Sequence, residues 1–161
     1  MKETLYTLKI KNGPSGGIKD LLTDYGFVCL SGANYPATDR YKALEKTSWY
    51  DEDGDDVYHP ARRYKESFNL EIPIGCEGNR DSGGVNVKTK FNTLESFLCG
   101  TLQALSPEGI SVYMPMEQIG YNGCDLVEIK DKDYQKQGTY EIFTCTLVLT
   151  VSDPTDVWDG A

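Results

Sequence analysis

Residues 46–74 read KTSWYDEDGDDVYHPARRYKESFNLEIPI, and this stretch decides the fold. Five of the six residues from Asp51 to Asp56 are acidic and the sixth is Gly54, so the segment predicts a tight, charged turn. Trp49 and Tyr50 precede the turn, and Val57 and Tyr58 follow it. Beyond it, Phe68, Leu70, Ile72 and Ile74 alternate with Asn69, Glu71 and Pro73. A period of two is the mark of a strand with one face buried. Pro73 has no N–H to give a ladder, which points to a strand edge or end.

Working outward, residues 140–151 give the longest alternation in the chain, with Phe143, Cys145, Leu147, Leu149 and Val151 set against Thr144, Thr146, Val148 and Thr150. Residues 5–11 and 27–30, and 110–116 up to Pro115, predict further strands; so do residues 126–129, after a turn at 121–123. Residues 18–25 fit either a helical turn or a connector. Residues 11–17, 31–41, 75–87 and 131–138 read as loops from their glycine, proline or charge content. The period changes once. Phe91, Leu94 and Leu98 recur at helical spacing, with Phe97 widening the stripe and Gly100 placed as a C-terminal stop. Strands, one helix and more strands make an α+β fold dominated by antiparallel sheet, and 161 residues suit a single domain over 1–161.

Composition removes several function classes. A formal net charge of -9 is opposite to the basic footprint of a nucleic-acid binder. No apolar run approaches the length of a membrane span, and the first ten residues lack the apolar core of a signal peptide, so a cytoplasmic site of synthesis is expected. The 5 cysteines form no CxxC pair and are expected to be reduced and packed as small apolar groups. The 11 tyrosines supply apolar area with a polar tip, which suits sheet faces and interfaces.

No cofactor motif and no catalytic constellation is present, and no enzyme is expected. An EF-hand loop begun at Asp51 would put Asp56 where glycine belongs and Arg62 where the bidentate glutamate belongs. The lone histidine, His59, stands beside Pro60 in an expected surface corner, without the nucleophile and orienting acid that a general base requires. Two binding readings stay open. Trp49 with its neighbouring tyrosines is a possible carbohydrate platform, and the acidic turn a possible calcium site. Packing at an interface uses the same residues, and Arg62 and Arg63 are placed to neutralise the acidic turn within the chain or in a neighbouring copy.

In its order of features the chain resembles the N-terminal domain of phage distal tail proteins, relatives of tail tube proteins. The matching residues are the turn from Trp49 to Tyr58, the alternating strand from Phe68 to Ile74, FNTLESFLCG from Phe91 to Gly100, and Ser111 to Met114. The last are Phe143 to Val151, closing on Asp153-Pro154. The turn here is wholly acidic where the family's carries an arginine. The resemblance implies a β-sandwich with a flanking helix and long hairpin loops, assembled as a six-fold homo-oligomeric ring in the virion tail. It implies a joint and DNA conduit built in the host bacterial cytoplasm, docking on other tail proteins and without enzymatic activity. On this reading Trp49, Tyr50, Gly54, Val57, Tyr58, Arg62 and Arg63 make the oligomer contact, together with the loop at 75–87. A tail-terminator or head–tail connector is the alternative within the same class.

Overall fold

A computed structural model describes residues 7–30, 41–51, 53–79 and 86–161. Expectations placed on 31–40, on 80–85 and on the start of the first strand lie outside these residues. The chain is α+β and mostly antiparallel sheet. Its strands are β1 (Lys9–Asn12), β2 (Lys19–Asp20), β3 (Val28–Cys29), β4 (Lys46–Ser48), β5 (Asp55–Val57), β6 (Phe68–Asn79), β7 (Ile110–Met114), β8 (Ile119–Gln137) and β9 (Tyr140–Val151). Helix α1 (Leu21–Tyr25) follows β2, and α2 (Val87–Leu98) lies between β6 and β7. Seven strands form one sheet in the order β2-β1-β7-β8-β9-β6-β3, and β4 and β5 form a hairpin of their own.

The sheet's middle is the ladder β8-β9-β6. All twelve residues of β9 pair with β6, Phe68 facing Val151 at one end and Asn79 facing Tyr140 at the other. On one face this register aligns Leu70 with Leu149, Ile72 with Leu147 and Ile74 with Cys145, all buried. Helix α2 covers that face with Val87, Leu94 and Leu98, and Phe91 meets Phe143 with ring centres 4.9 Å apart. Leu8, Ile10, Ile110 and Val112 belong to the same hydrophobic cluster. The opposite face of the ladder is polar. Glu71 faces Val148 and Lys130 faces Thr146, and the Lys130–Glu71 ion pair reaches across β9 between them. One dry face and one largely polar face explain the alternation in β6 and β9, which Val148, buried on the polar side, interrupts.

Pro73 lies inside β6, not at its end. Its carbonyl accepts from Leu30 N at 2.9 Å, so its missing N–H faces the side that the two-residue β3 barely covers. The ladder toward β9 loses nothing.

Four sequence expectations are corrected. Residues 18–25 take the helical-turn reading, β2 leading into the short helix α1, so the described residues hold two helices where the fold was expected to have one. Asp20 caps α1, its Oδ1 accepting from Leu22 N at 2.9 Å, Thr23 N at 3.1 Å and Thr7 Oγ1 at 2.6 Å. The turn expected at 121–123 is a bulge within β8: Gly123 has φ +66° where the pairing with β7 shifts register. The charged loop expected at 131–138 is also β8. Asp131, at φ +55°, takes up a second register shift, and the strand then pairs with β9 as far as Gln137. Lastly β6 runs on through Gly75 to Asn79, in what read as loop.

After β9 ends at Val151, paired with Cys124, the first residues of β8 have an open side. The C-terminal segment returns to it: Trp158 N donates to Gly120 O at 3.0 Å and Asn122 N to Asp156 O at 3.0 Å. Trp158 then lies on the face away from the core, edge-on to Tyr113 at 6.1 Å. Gly120 and Gly160 permit the approach, since an added Cβ would fall 2.5 Å from Trp158 O and 2.7 Å from the Tyr113 ring.

Candidate assembly surface

Between the core and β6 the chain leaves as an arm. No described residue from Tyr41 to Ser67 is buried. At its far end β4 pairs with β5, Lys46 facing Val57, Thr47 facing Asp56 and Ser48 facing Asp55. The chain reverses between Ser48 and Asp55, with Gly54 at φ +85° and open space around it. The left-handed backbone there suits glycine. Trp49 Nε1 donates across the hairpin to Asp56 Oδ2 at 2.9 Å, which fixes the ring against the turn. Closer to the core, Tyr58 N donates to Glu45 O at 3.0 Å and Lys42 N to Tyr64 O at 2.8 Å, and Tyr41 bridges to Lys65.

The arm's large side chains face solvent. Tyr50 is fully exposed, and Trp49, Tyr58 and Tyr64 are exposed by half or more. Aromatic residues in this state cost hydration free energy and are typical of surfaces that become covered. The base of the arm is ordered by stacking. The Arg62 guanidinium lies 5.2 Å from the Tyr64 ring centre, and that of Arg63 lies 5.8 Å from Tyr41. Arg63 Nη2 also donates to Lys42 O at 3.2 Å. Asp153, in the turn after β9, is held below its ordinary value, first by hydrogen bonds from Thr155 and further by the positive charge of Arg62 and Lys42.

The residues expected at an oligomer contact thus fall on one arm but at two ends of it. Trp49, Tyr50, Gly54, Val57 and Tyr58 make the tip, and Arg62 and Arg63 stand at the base. Tyr41 and Tyr64, which hold the arginines, were missed as partners; an Arg-Arg-Tyr run was the available signal for one of them. Of the expected contact at 75–87, residues 75–79 belong to β6 and 80–85 lie outside the described residues. His59 is an exposed arm residue.

Elsewhere the surface offers little chemistry. A cleft of about 280 Å³ lies between the start of α2 and the β8–β9 hairpin, lined by Val87, Phe91, Tyr134, Glu141 and Phe143. Glu141 is buried and accepts from Tyr134 Oη at 2.6 Å. Among the described residues, no group of three or more His, Cys, Asp or Glu side chains is arranged to hold a metal ion. Burial pushes the thiols of Cys29, Cys124 and Cys145 up to about 12 and that of Cys76 to about 11, which removes them as nucleophiles near neutrality. No helix among the described residues is long and apolar enough to cross a membrane.

No known family model matches the chain, and no curated protein shows a significant match to it.

Proposed function

We propose that this chain is a structural component of a phage or phage-like tail, a homo-oligomeric ring at or in the tail tube that acts as joint and DNA conduit. One observation carries the reading: a long aromatic arm of which no described residue is buried. A two-stranded hairpin is at best marginally stable in water by itself. An arm of this kind gains its stability when a neighbouring surface covers Trp49, Tyr50 and Tyr58. On this reading the sheet is one layer of a β-sandwich, and the ring closes by repeated contacts between copies. The net charge of -9 supports the conduit, because carboxylates on a lumen wall repel phosphate and let DNA pass without adhering.

Mass photometry and negative-stain imaging of the purified chain test this. The expected result is a closed ring, alone or with other tail proteins. A strict monomer at high concentration that joins no tail assembly overturns it.

A further inference from the structure

The arm carries opposite charges at its two ends. Asp51, Asp53, Asp55 and Asp56 are exposed at the tip, and Arg62 and Arg63 are exposed at the base. The sequence leaves open whether these arginines neutralise the tip of their own chain. The structure answers that they do not. Among the described residues, no ion pair joins Arg62 or Arg63 to Asp51, Asp53, Asp55 or Asp56. Each guanidinium is instead held against its own tyrosine, Arg62 on Tyr64 and Arg63 on Tyr41.

From this we infer that the acidic tip of the arm docks on the arginine base of the arm in a second copy of this chain. The inference rests on the ring reading above and names the contact that builds the ring. Stacking keeps a guanidinium planar and limits its rotamers, so its N–H fork meets a carboxylate with less entropy lost. The tip supplies carboxylates beside the exposed faces of Trp49 and Tyr50, so a neighbour's base gains charge pairing and apolar cover together. Tip-on-base is a heterologous contact: each copy gives one end and receives the other. Contacts of that kind generate closed rings when the rotation closes, and open filaments otherwise. The tip of one copy repels the tip of another, which disfavours arms meeting end to end.

Charge reversal in the full chain tests this by sedimentation velocity. Asp53→Lys/Asp55→Lys reverses the tip, and Arg62→Glu/Arg63→Glu reverses the base. All four sites are exposed, so both variants keep the wild-type far-UV spectrum and melting behaviour. Each variant alone is expected to self-associate at least about tenfold more weakly than wild type. An equimolar mixture of the two pairs reversed tips with reversed bases and unreversed tips with unreversed bases, and is expected to restore assembly. Rings formed by either variant as readily as by wild type overturn the inference and leave the ring reading standing. So does a tip reversal that disrupts assembly without rescue by the mixture, which assigns the tip to a different partner. A monomeric wild type overturns both.

Discussion

The ammonium of Lys11 lies 4.4 Å from the centre of the Trp158 ring, on the side of the sheet away from the hydrophobic core. The lysine is nearly buried and its Nζ also donates to Pro14 O at 3.5 Å. Trp158 in turn donates from Nε1 to Ala161 O at 2.9 Å and packs on Tyr113. A second, smaller cluster therefore pins the C-terminal segment to β1, β7 and β8. Trp158→Ala is expected to cost about 3 kcal/mol in urea unfolding, the usual scale for removing a buried tryptophan. Trp158→Phe keeps a ring under the cation and costs less than half as much. A Trp158→Ala variant as stable as wild type removes this cluster from the account of the fold.

Asp20 is the better helix cap of the two. It accepts three hydrogen bonds at one oxygen and ties β1 to α1 through Thr7. Asn86 serves α2 alone, accepting from Thr89 N at 2.9 Å and Thr89 Oγ1 at 3.0 Å. Replacing a cap by alanine costs about 0.5–2 kcal/mol. Asp20→Ala is expected near the top of that range and Asn86→Ala near the middle. Chemical denaturation of both variants orders them, and the reverse order would mean that the Thr7 link contributes nothing.

Four thiols are protected and one is not. Cys99 is exposed, whereas Cys76, Cys124 and Cys145 are buried and Cys29 nearly so. A thiol reagent at mildly alkaline pH is expected to label one cysteine quickly in the native chain and all five on unfolding. The same burial sets a pH dependence. The unfolded thiols lose their protons near the ordinary value of 9.0, while the native ones hold them to about 11 or 12. Between those limits the folded state binds more protons, so stability is full below pH 9 and falls as pH rises above it. Tyr25, also raised by burial, pulls in the same direction. Melting temperatures measured through this window should fall, and Cys145→Ala should flatten part of the slope. A slope unchanged by that substitution would assign the loss to other groups.

The two tryptophans report on different parts of the molecule. Trp49 is 51% exposed and Trp158 only 6%. In a Trp158→Phe background the emission of Trp49 is expected to be red-shifted in the monomer and to move blue on assembly. Trypsin should first cut the isolated chain at Arg62 or Arg63, with peptide mapping to locate the site. First cuts within α2, at Lys88 or Lys90, or within β8, at Lys130, Lys132 or Lys136, would show that the arm is not the least protected segment.

Most of the sheet was readable because one face is dry and the other wet. The alternation at residues 140–151 marks β9 from end to end, and Leu70, Ile72 and Ile74 point inward as their spacing predicts. The helix at Phe91, Leu94 and Leu98 was readable for the same reason, and Gly100 does adopt the left-handed conformation at its end. Legibility stopped where no face is buried. Residues 131–137 of β8 are all exposed, so Lys132, Asp133 and Lys136 carry no hydrophobic period although they lie in a regular strand. Gly123 signals a turn and marks a bulge instead, because a left-handed glycine serves either purpose. Trp49, Tyr50 and Tyr58 stand out in the sequence as aromatics flanking an acidic turn, and the structure finds them exposed. That Arg63 is occupied by Tyr41 depends on the pairing of two segments more than twenty residues apart, which no local pattern carries, whereas Arg62 and Tyr64 lie in one Arg-Arg-Tyr run.

Because no described residue from Tyr41 to Ser67 is buried, the arm and the core are thermodynamically separable. Substitutions on the arm leave the free energy of the folded core almost untouched, and its ordering is free to wait for another surface. Mutational drift can therefore rewrite which surface that is while the scaffold beneath stays the same, so specificity in this molecule evolves at little risk to its folding.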